Sequence, residues 1–394
     1  MDYSKVDELV SAVIAKVGPE RESLDYALDF TLDFAATSAV PPEMLLELAA
    51  VCEQQGMYRE EYVFAKACAR LGSGKTRENA FFITGVMAYL MGYFEEAECC
   101  YRLVLDENPA HTATLCNYGS LLTDLERFED AESLYRNALA HDPDHASSRC
   151  NYAFLLAGRG RLGEAEEQYL LALASDPGHV GARSNYANLL SDLDRNDEAE
   201  KEYLATLELD PGHVATRYNY GIFLSALGRL EEAEVQYSEV LSLNPRHINA
   251  LCNYGNLLSR QGRVSEAEAQ YRKALKLVPE DASLHCNYAL LLMDCGRSTE
   301  AEKEFQESLF LDSTRAVPHY NYGLLLAKKG RMEEAEAQYM EALALDPGHT
   351  GTHYSYGSLL KKLGRIEEAK EHYVLALKEN YALESEDCRW IFFD

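Results

Sequence analysis

One recurrence constrains this chain more than any other feature. An Asn-Tyr pair returns every 34 residues, at Asn117, Asn151, Asn185, Asn219, Asn253, Asn287 and Asn321, and Ser355 with Tyr356 continues the series. A fixed period of this length marks a chain built from one supersecondary unit copied many times, each copy burying its apolar face on the next. Written in rows of 34, the segment from Glu78 to Leu383 fills nine rows whose columns align. Column 8 holds only glycine or alanine, from Gly85 to Gly357, and column 20 is alanine throughout, from Ala97 to Ala369. Column 24 is aromatic in every row, tyrosine from Tyr101 to Tyr373 with Phe305 the one exception. Small residues let two helices approach, and the aromatic ring fills the space between them. Proline at column 32 (Pro109, Pro143, Pro177, Pro211, Pro245, Pro279, Pro347) ends the second helix of its row. Each row reads as a helix pair, and the fold as all-α.

These columns resemble the tetratricopeptide repeat (TPR), with a small residue at 8, alanine at 20, an aromatic at 24 and proline at 32. The resemblance covers Glu78 to Leu383 and implies a TPR solenoid, a right-handed superhelix of antiparallel helix pairs. Two columns depart from the pattern. Column 4, where the repeat usually carries tryptophan or another bulky residue, includes Arg149, Arg183, Arg217, His285, His319 and His353, and column 7, usually leucine, is tyrosine in eight rows. Local packing at these two columns should therefore differ from the common pattern. The flanks read as atypical ends, which an open-ended core requires. Residues 1–41 read as a helical hairpin cap around Gly18-Pro19, 42–77 as a degenerate TPR with Glu61 in place of the column 20 alanine, 78–383 as nine TPRs, and 384–394 as a half-repeat cap that puts Trp390 in a core column.

Charge and composition narrow the functional classes. A net charge of −28 argues against nucleic acid, whose phosphates need clustered lysine and arginine, and disfavours an acidic membrane surface. No basic leader with an apolar run and no long apolar stretch is present, so a cytoplasmic location is expected. The cysteines follow no disulfide framework and read as free thiols. "GSGKT", Gly72 to Thr76, resembles the end of a phosphate-binding loop. The first glycine of that motif is replaced by Ala69, and a helix precedes it where a strand is required. Six histidines, His111, His145, His179, His213, His247 and His349, share one turn column and read as helix caps. No catalytic, metal or cofactor set emerges, so the chain reads as a non-enzyme with no cofactor. Of the adjacent Cys99 and Cys100, one should be packed and one partly exposed. The "EEAE" acids read as a solvated outer face, and the column 4 arginines Arg149, Arg183 and Arg217 as stems packed on the previous helix whose heads pair with those acids, the alternative being a basic rim that attracts acidic segments.

Column 6 carries the functional expectation. In the resembled family the first helices line the concave surface, with columns 2, 5, 6, 9, 12 and 13 facing the groove. An asparagine offers a carbonyl acceptor and two N–H donors, so it can pair with a peptide bond in both directions. The column resembles the asparagine ladder of the O-GlcNAc transferase TPR superhelix, without that enzyme's catalytic domain. The resemblance implies a module that binds an extended protein or peptide segment through Asn117, Asn151, Asn185, Asn219, Asn253, Asn287 and Asn321. Asn188 and Asn256 of column 9 and Tyr218, Tyr320 and Tyr354 of column 5 join them. A second role for column 6 is hydrogen bonding between adjacent first helices. Columns 12 and 13 run from acidic (Asp124, Asp192) to basic (Arg260, Lys328, Lys361, Lys362), interrupted by Asp294. The competing reading is a self-assembling TPR scaffold that uses solenoid ends or the C-terminal apolar tail.

Overall fold

The computed structural model describes residues 3–379, all of its regular structure helical. The expected cap at 384–394, with Trp390, lies outside the described residues. The chain divides into two units, Met1–Asp210 and Pro211–Asp394. The first contains α1 (Tyr3–Lys16), α2 (Arg21–Ser38), α3 (Pro42–Gln54), α4 (Tyr58–Leu71), α5 (Gly74–Leu90), α6 (Phe94–Glu107), α7 (Thr112–Asp124), α8 (Phe128–His141), α9 (Ala146–Gly158), α10 (Leu162–Ser175), α11 (Val180–Asp192) and α12 (Asn196–Leu209). The second contains α13 (Val214–Ala226), α14 (Leu230–Leu243), α15 (Ile248–Arg260), α16 (Val264–Leu277), α17 (Ala282–Asp294), α18 (Ser298–Leu311), α19 (Ala316–Lys328), α20 (Met332–Leu345), α21 (Thr350–Lys362) and α22 (Ile366–Glu379).

Within each unit a first helix packs along its own second helix, and that second helix packs on the first helix of the next repeat. First helices also touch one another one repeat apart, as α7 does α9 and α15 does α17. The core is the one the columns require. Ala131 of α8 is wholly buried, and Tyr135 lies against Gly119 of α7 so closely that a Cβ there would come within 2.6 Å of the ring. Removing such apolar side chains from water is what holds repeats together, at about 25 cal/mol per Å².

The turns follow from local chemistry. Between the helices of a pair, glycine at column 15 takes a left-handed conformation, as in Gly160 (φ 73°) and Gly228 (φ 76°), which a side chain would resist. The turn histidines are N-caps, as expected. His111, His145, His179, His213, His247 and His349 each accept a backbone N–H of the first helical turn at Nδ1, for example that of Thr114 at 3.2 Å. Asp281 does the same before α17 with two such bonds. Of "GSGKT", Gly72 and Ser73 form the inter-repeat turn and Gly74 to Thr76 open the next helix: α4 ends at Leu71 and α5 begins at Gly74.

Candidate functional site

The column 6 asparagines lie on the first helices, where their tyrosine neighbours at column 7 turn into the core. In the first unit Asn117, Asn151 and Asn185 are half-buried. The Asn151 amide donates to Cys116 Sγ at 3.4 Å and Ser120 Oγ at 2.9 Å, and Asn185 to Cys150 Sγ at 3.8 Å. In the second unit Asn219, Asn253 and Asn287 are half-buried, while Asn321 is only 7% exposed. Asn253 donates to Tyr218 Oη at 3.0 Å and Asn287 to Cys252 Sγ at 3.2 Å. Each of these four asparagines makes one bond from column 6 of its repeat to column 5 of the repeat before it. The side chain is thereby held in one orientation at the cost of an N–H of Nδ2, and none of the bonds uses the carbonyl Oδ1.

The other expected groove residues divide by their neighbours. Asn188 Oδ1 accepts the phenol of Tyr203 at 2.7 Å, and Asn256 Oδ1 that of Tyr271 at 2.5 Å. Their carbonyls serve the column 24 rings. Tyr218 and Tyr320 are half-buried and lie against the capping histidines His247 and His349, ring centroids 4.9 Å apart in both cases. Tyr354 meets Tyr373 edge-on at 5.6 Å. Cys116, Cys150 and Cys286 of column 5 are buried, and burial pushes the Cys150 thiol up to about 11, so these thiols are packing groups rather than nucleophiles. Cys100 is buried and Cys99 exposed, and the nine described cysteines are free.

Along columns 12 and 13, Asp124 accepts the phenol of Tyr89, and Arg260 donates to the Ser225 carbonyl at 3.3 Å. Further along the second unit, Leu324, Lys328, Tyr339, Tyr354, Ser355, Ser358 and Lys362 line a recess of about 340 Å³. Among the described residues no three His, Cys, Asp or Glu side chains are grouped to hold a metal ion.

The departures at columns 4 and 7 have structural reasons, and one overturns an expectation. The column 4 heads do not reach the "EEAE" acids. Arg149 donates to the Pro143 carbonyl at 2.8 Å and Gln168 at 2.9 Å, and Arg217 to the Pro211 carbonyl and Gln236. Arg183 joins the Pro177 carbonyl to Glu202. His285 lies 3.0 Å from the Pro279 carbonyl and 2.7 Å from Glu304. A polar fork at column 4 therefore ties the preceding turn to the row's own second helix, which a tryptophan, with a single N–H donor, could not bond on both sides. Nor are all the "EEAE" acids solvated. The final glutamate is mostly covered and accepts both the column 7 phenol and the turn arginine of the next repeat. Tyr152 and Arg161 meet on Glu132, Tyr254 and Arg263 on Glu234, and Tyr288 and Arg297 on Glu268. The joint recurrence of tyrosine, glutamate and arginine was visible in the rows, but nothing in a sequence says that positions 20 and 29 residues apart converge.

Comparison with known proteins agrees with this architecture. Models described as tetratricopeptide repeat match residues 119–180, 180–213, 213–280, 254–317, 316–349 and 350–382. Among solved structures, a tetratricopeptide repeat protein from Parabacteroides merdae is similar at 19% identity and TM-score 0.51, covering 68% of this chain and 98% of its own. IFIT1, as a monomeric mutant with m7Gppp-AAAA, matches at 17% identity and TM-score 0.55, over 86% of this chain and 90% of its own. Yeast Tom70 matches at 13% identity and TM-score 0.50, over 86% and 91%. No curated protein matches the sequence. No helix among the described residues is long and apolar enough to cross a membrane.

Proposed function

The chain belongs to the tetratricopeptide repeat family, and from that premise we propose that it is a non-enzymatic module that binds an extended peptide segment along its first helices. The observation that carries this reading is the fixed column 6 amide. Asn151, Asn185, Asn253 and Asn287 each spend Nδ2 on the preceding repeat, which sets the side chain before any ligand arrives. A pre-set carbonyl loses little conformational freedom on accepting a backbone N–H. Helices packed about 8–10 Å apart present one rung to roughly every third residue of a strand rising about 3.3 Å per residue. Such contacts read main chain, so they favour extended conformation over a particular sequence. The m7Gppp-AAAA ligand of the IFIT1 structure does not transfer on fold alone, and a net charge of −28 favours peptide over nucleic acid.

The test is a selection of random peptides displayed against the full chain, followed by titration of a selected peptide against Asn219→Ala/Asn253→Ala/Asn287→Ala. Helicity and melting should persist while binding weakens by about 1 kcal/mol for each hydrogen bond lost. Equal affinity for the variant and the parent would overturn the proposal.

A further inference from the structure

We infer that the recess in the second unit holds a carboxylate side chain of the bound segment, an aspartate or glutamate. This rests on the peptide-binding reading above. The recess lies where the column 6 series changes from asparagine to Ser355, a smaller side chain that leaves room beside Tyr354. At about 340 Å³ it sits at the low end of small-ligand pockets, which span roughly 300–1,000 Å³. One acidic side chain with its water fits; a folded partner does not.

Two independent features point to an anion. The first is a phenol without a partner. In four rows the column 24 hydroxyl is bonded by the row's own first helix, Tyr135 lying 3.2 Å from Ser120 Oγ, Tyr203 donating to Asn188, Tyr271 to Asn256, and Tyr373 lying 2.9 Å from Ser358 Oγ, whereas the Tyr101 hydroxyl has no partner. The row of Tyr339 offers Leu324 and Ala327 at the equivalent positions. Tyr339 is 1% exposed, lines the recess, and its hydroxyl takes part in none of the described hydrogen bonds. A phenol that lines a recess in this way can donate its O–H to a ligand or water there. The second feature is charge. Lys328 and Lys362 line the same recess, are exposed, and enter none of the described ion pairs, whereas the turn arginines Arg297, Arg331 and Arg365 are each held by two glutamates.

The donor set selects carboxylate over phosphate. Phosphate is best gripped by the planar fork of arginine or by backbone amides at a helix N-terminus. The recess is lined by no arginine, and its lining takes from a helix N-terminus a single residue, Met332 at the start of α20. It offers two ammonium groups, the Tyr339 phenol and the Ser355 hydroxyl, single donors that match the two oxygens of a carboxylate.

The same display library, selected on the full chain, tests this. Selected peptides should carry an acidic residue at one fixed position. Replacing that residue by alanine should weaken binding about tenfold, the size of one charge-assisted hydrogen bond. Lys328→Gln/Lys362→Gln should erase this difference while leaving the alanine peptide's affinity unchanged. Tyr339→Phe should reduce it, and Phe305 shows that the column accepts phenylalanine. Peptides without a fixed acidic position, or an acidic preference that survives the double lysine variant, would overturn the carboxylate assignment and leave main-chain binding standing. Tighter binding of a phosphoserine peptide than of its glutamate counterpart would also overturn it. Selection that yields no binding peptide would overturn both readings.

Discussion

Tyr288 donates its hydroxyl to Glu268 at 2.7 Å, joining a first helix to the second helix of the repeat before it. Arg297 reaches the same carboxylate at 2.9 Å and Arg272 at 2.8 Å, and the glutamate side chain is 14% exposed. Burial by itself would raise the pKa of Glu268, but the bonds from Tyr288 and Arg297 and the charges of Arg272 and Arg297 outweigh it and hold the group below its ordinary value. Each repeat interface of this kind is thus an apolar core sealed by a charge-assisted hydrogen-bond set.

Glu268→Ala should destabilise the second unit by about 2–3 kcal/mol, because it strands a phenol and removes a partner from a guanidinium, whereas Tyr288→Phe should cost about 1 kcal/mol. Hydrogen exchange of α16 to α18 is the appropriate readout, since repeat arrays can open locally. Equal effects of the two substitutions would mean that the glutamate serves Tyr288 alone.

The same glutamates set a pH dependence. Glu98, Glu132, Glu234, Glu268, Glu302 and Glu336 all have folded-state pKa values lowered from 4.5. A lowered folded pKa means that the unfolded chain takes up protons first, so the stability these groups confer is present above 4.5 and lost as pH falls through their folded values. The midpoint of urea unfolding should drop steeply below about pH 4.5. In the Glu268→Ala variant that fall should be shallower.

Glu61 acts in the opposite sense. It takes the place of the column 20 alanine in α4, is 2% exposed, and its Oε2 has no hydrogen-bond partner. Burial first, and the charge of Glu53 second, raise its pKa from 4.5 to about 7. A raised folded pKa favours the folded state only while the carboxyl stays protonated, so this site costs stability as pH rises from 4.5 through about 7. Glu61→Gln should therefore stabilise the first unit at pH 8 by about 1–3 kcal/mol and do little at pH 4.5. A stabilisation equal at both pH values would show that the charge of Glu61 is not the cause.

The period, the helix pairs and the close-packing columns were legible because each is a matter of residue size repeating in place, which sequence records directly. Asn253 was legible as a recurring polar residue in a helix, but not the destination of its amide, since Tyr218 lies in another repeat. The arginines of column 4 were misread for a related reason. Long side chains choose partners in three dimensions, and Arg149 finds Gln168 and a turn carbonyl nearer than any acid. Ordinary preference places glutamate in solvent. Glu132 departs from it because Tyr152 and Arg161 make burial affordable.

Close packing at column 8 makes a graded prediction. A Cβ on Gly119 would lie 2.6 Å from the Tyr135 ring, while one on Gly255 would meet Tyr271 at 3.0 Å. Alanine gains about 1 kcal/mol over glycine in a helix interior, and overpacking costs about 1–3 kcal/mol. Gly119→Ala should therefore destabilise and Gly255→Ala should come close to neutral. Unfolding midpoints of the two variants in the reverse order would refute this account of the column.

The left-handed turn at column 15 offers a stabilising change. Glycine occupies it in most rows, yet Glu126 and Asp194 both take φ of 58° there. For a side chain that conformation costs roughly 1–2 kcal/mol. Glycine avoids the cost but surrenders about 0.5–1 kcal/mol of chain entropy on folding. The balance leaves Glu126→Gly with a gain of about 0–1.5 kcal/mol. Aspartate tolerates left-handed backbone better than glutamate, because its short polar side chain can bond locally, so Asp194→Gly should gain less. The Glu126 side chain is exposed and enters no described hydrogen bond, and its backbone N–H bond to the Thr123 carbonyl is open to glycine too, so nothing else is lost with it. The thermal midpoint of the first unit should rise for Glu126→Gly and rise less for Asp194→Gly; a fall in both would show that the turn is held by something other than backbone conformation.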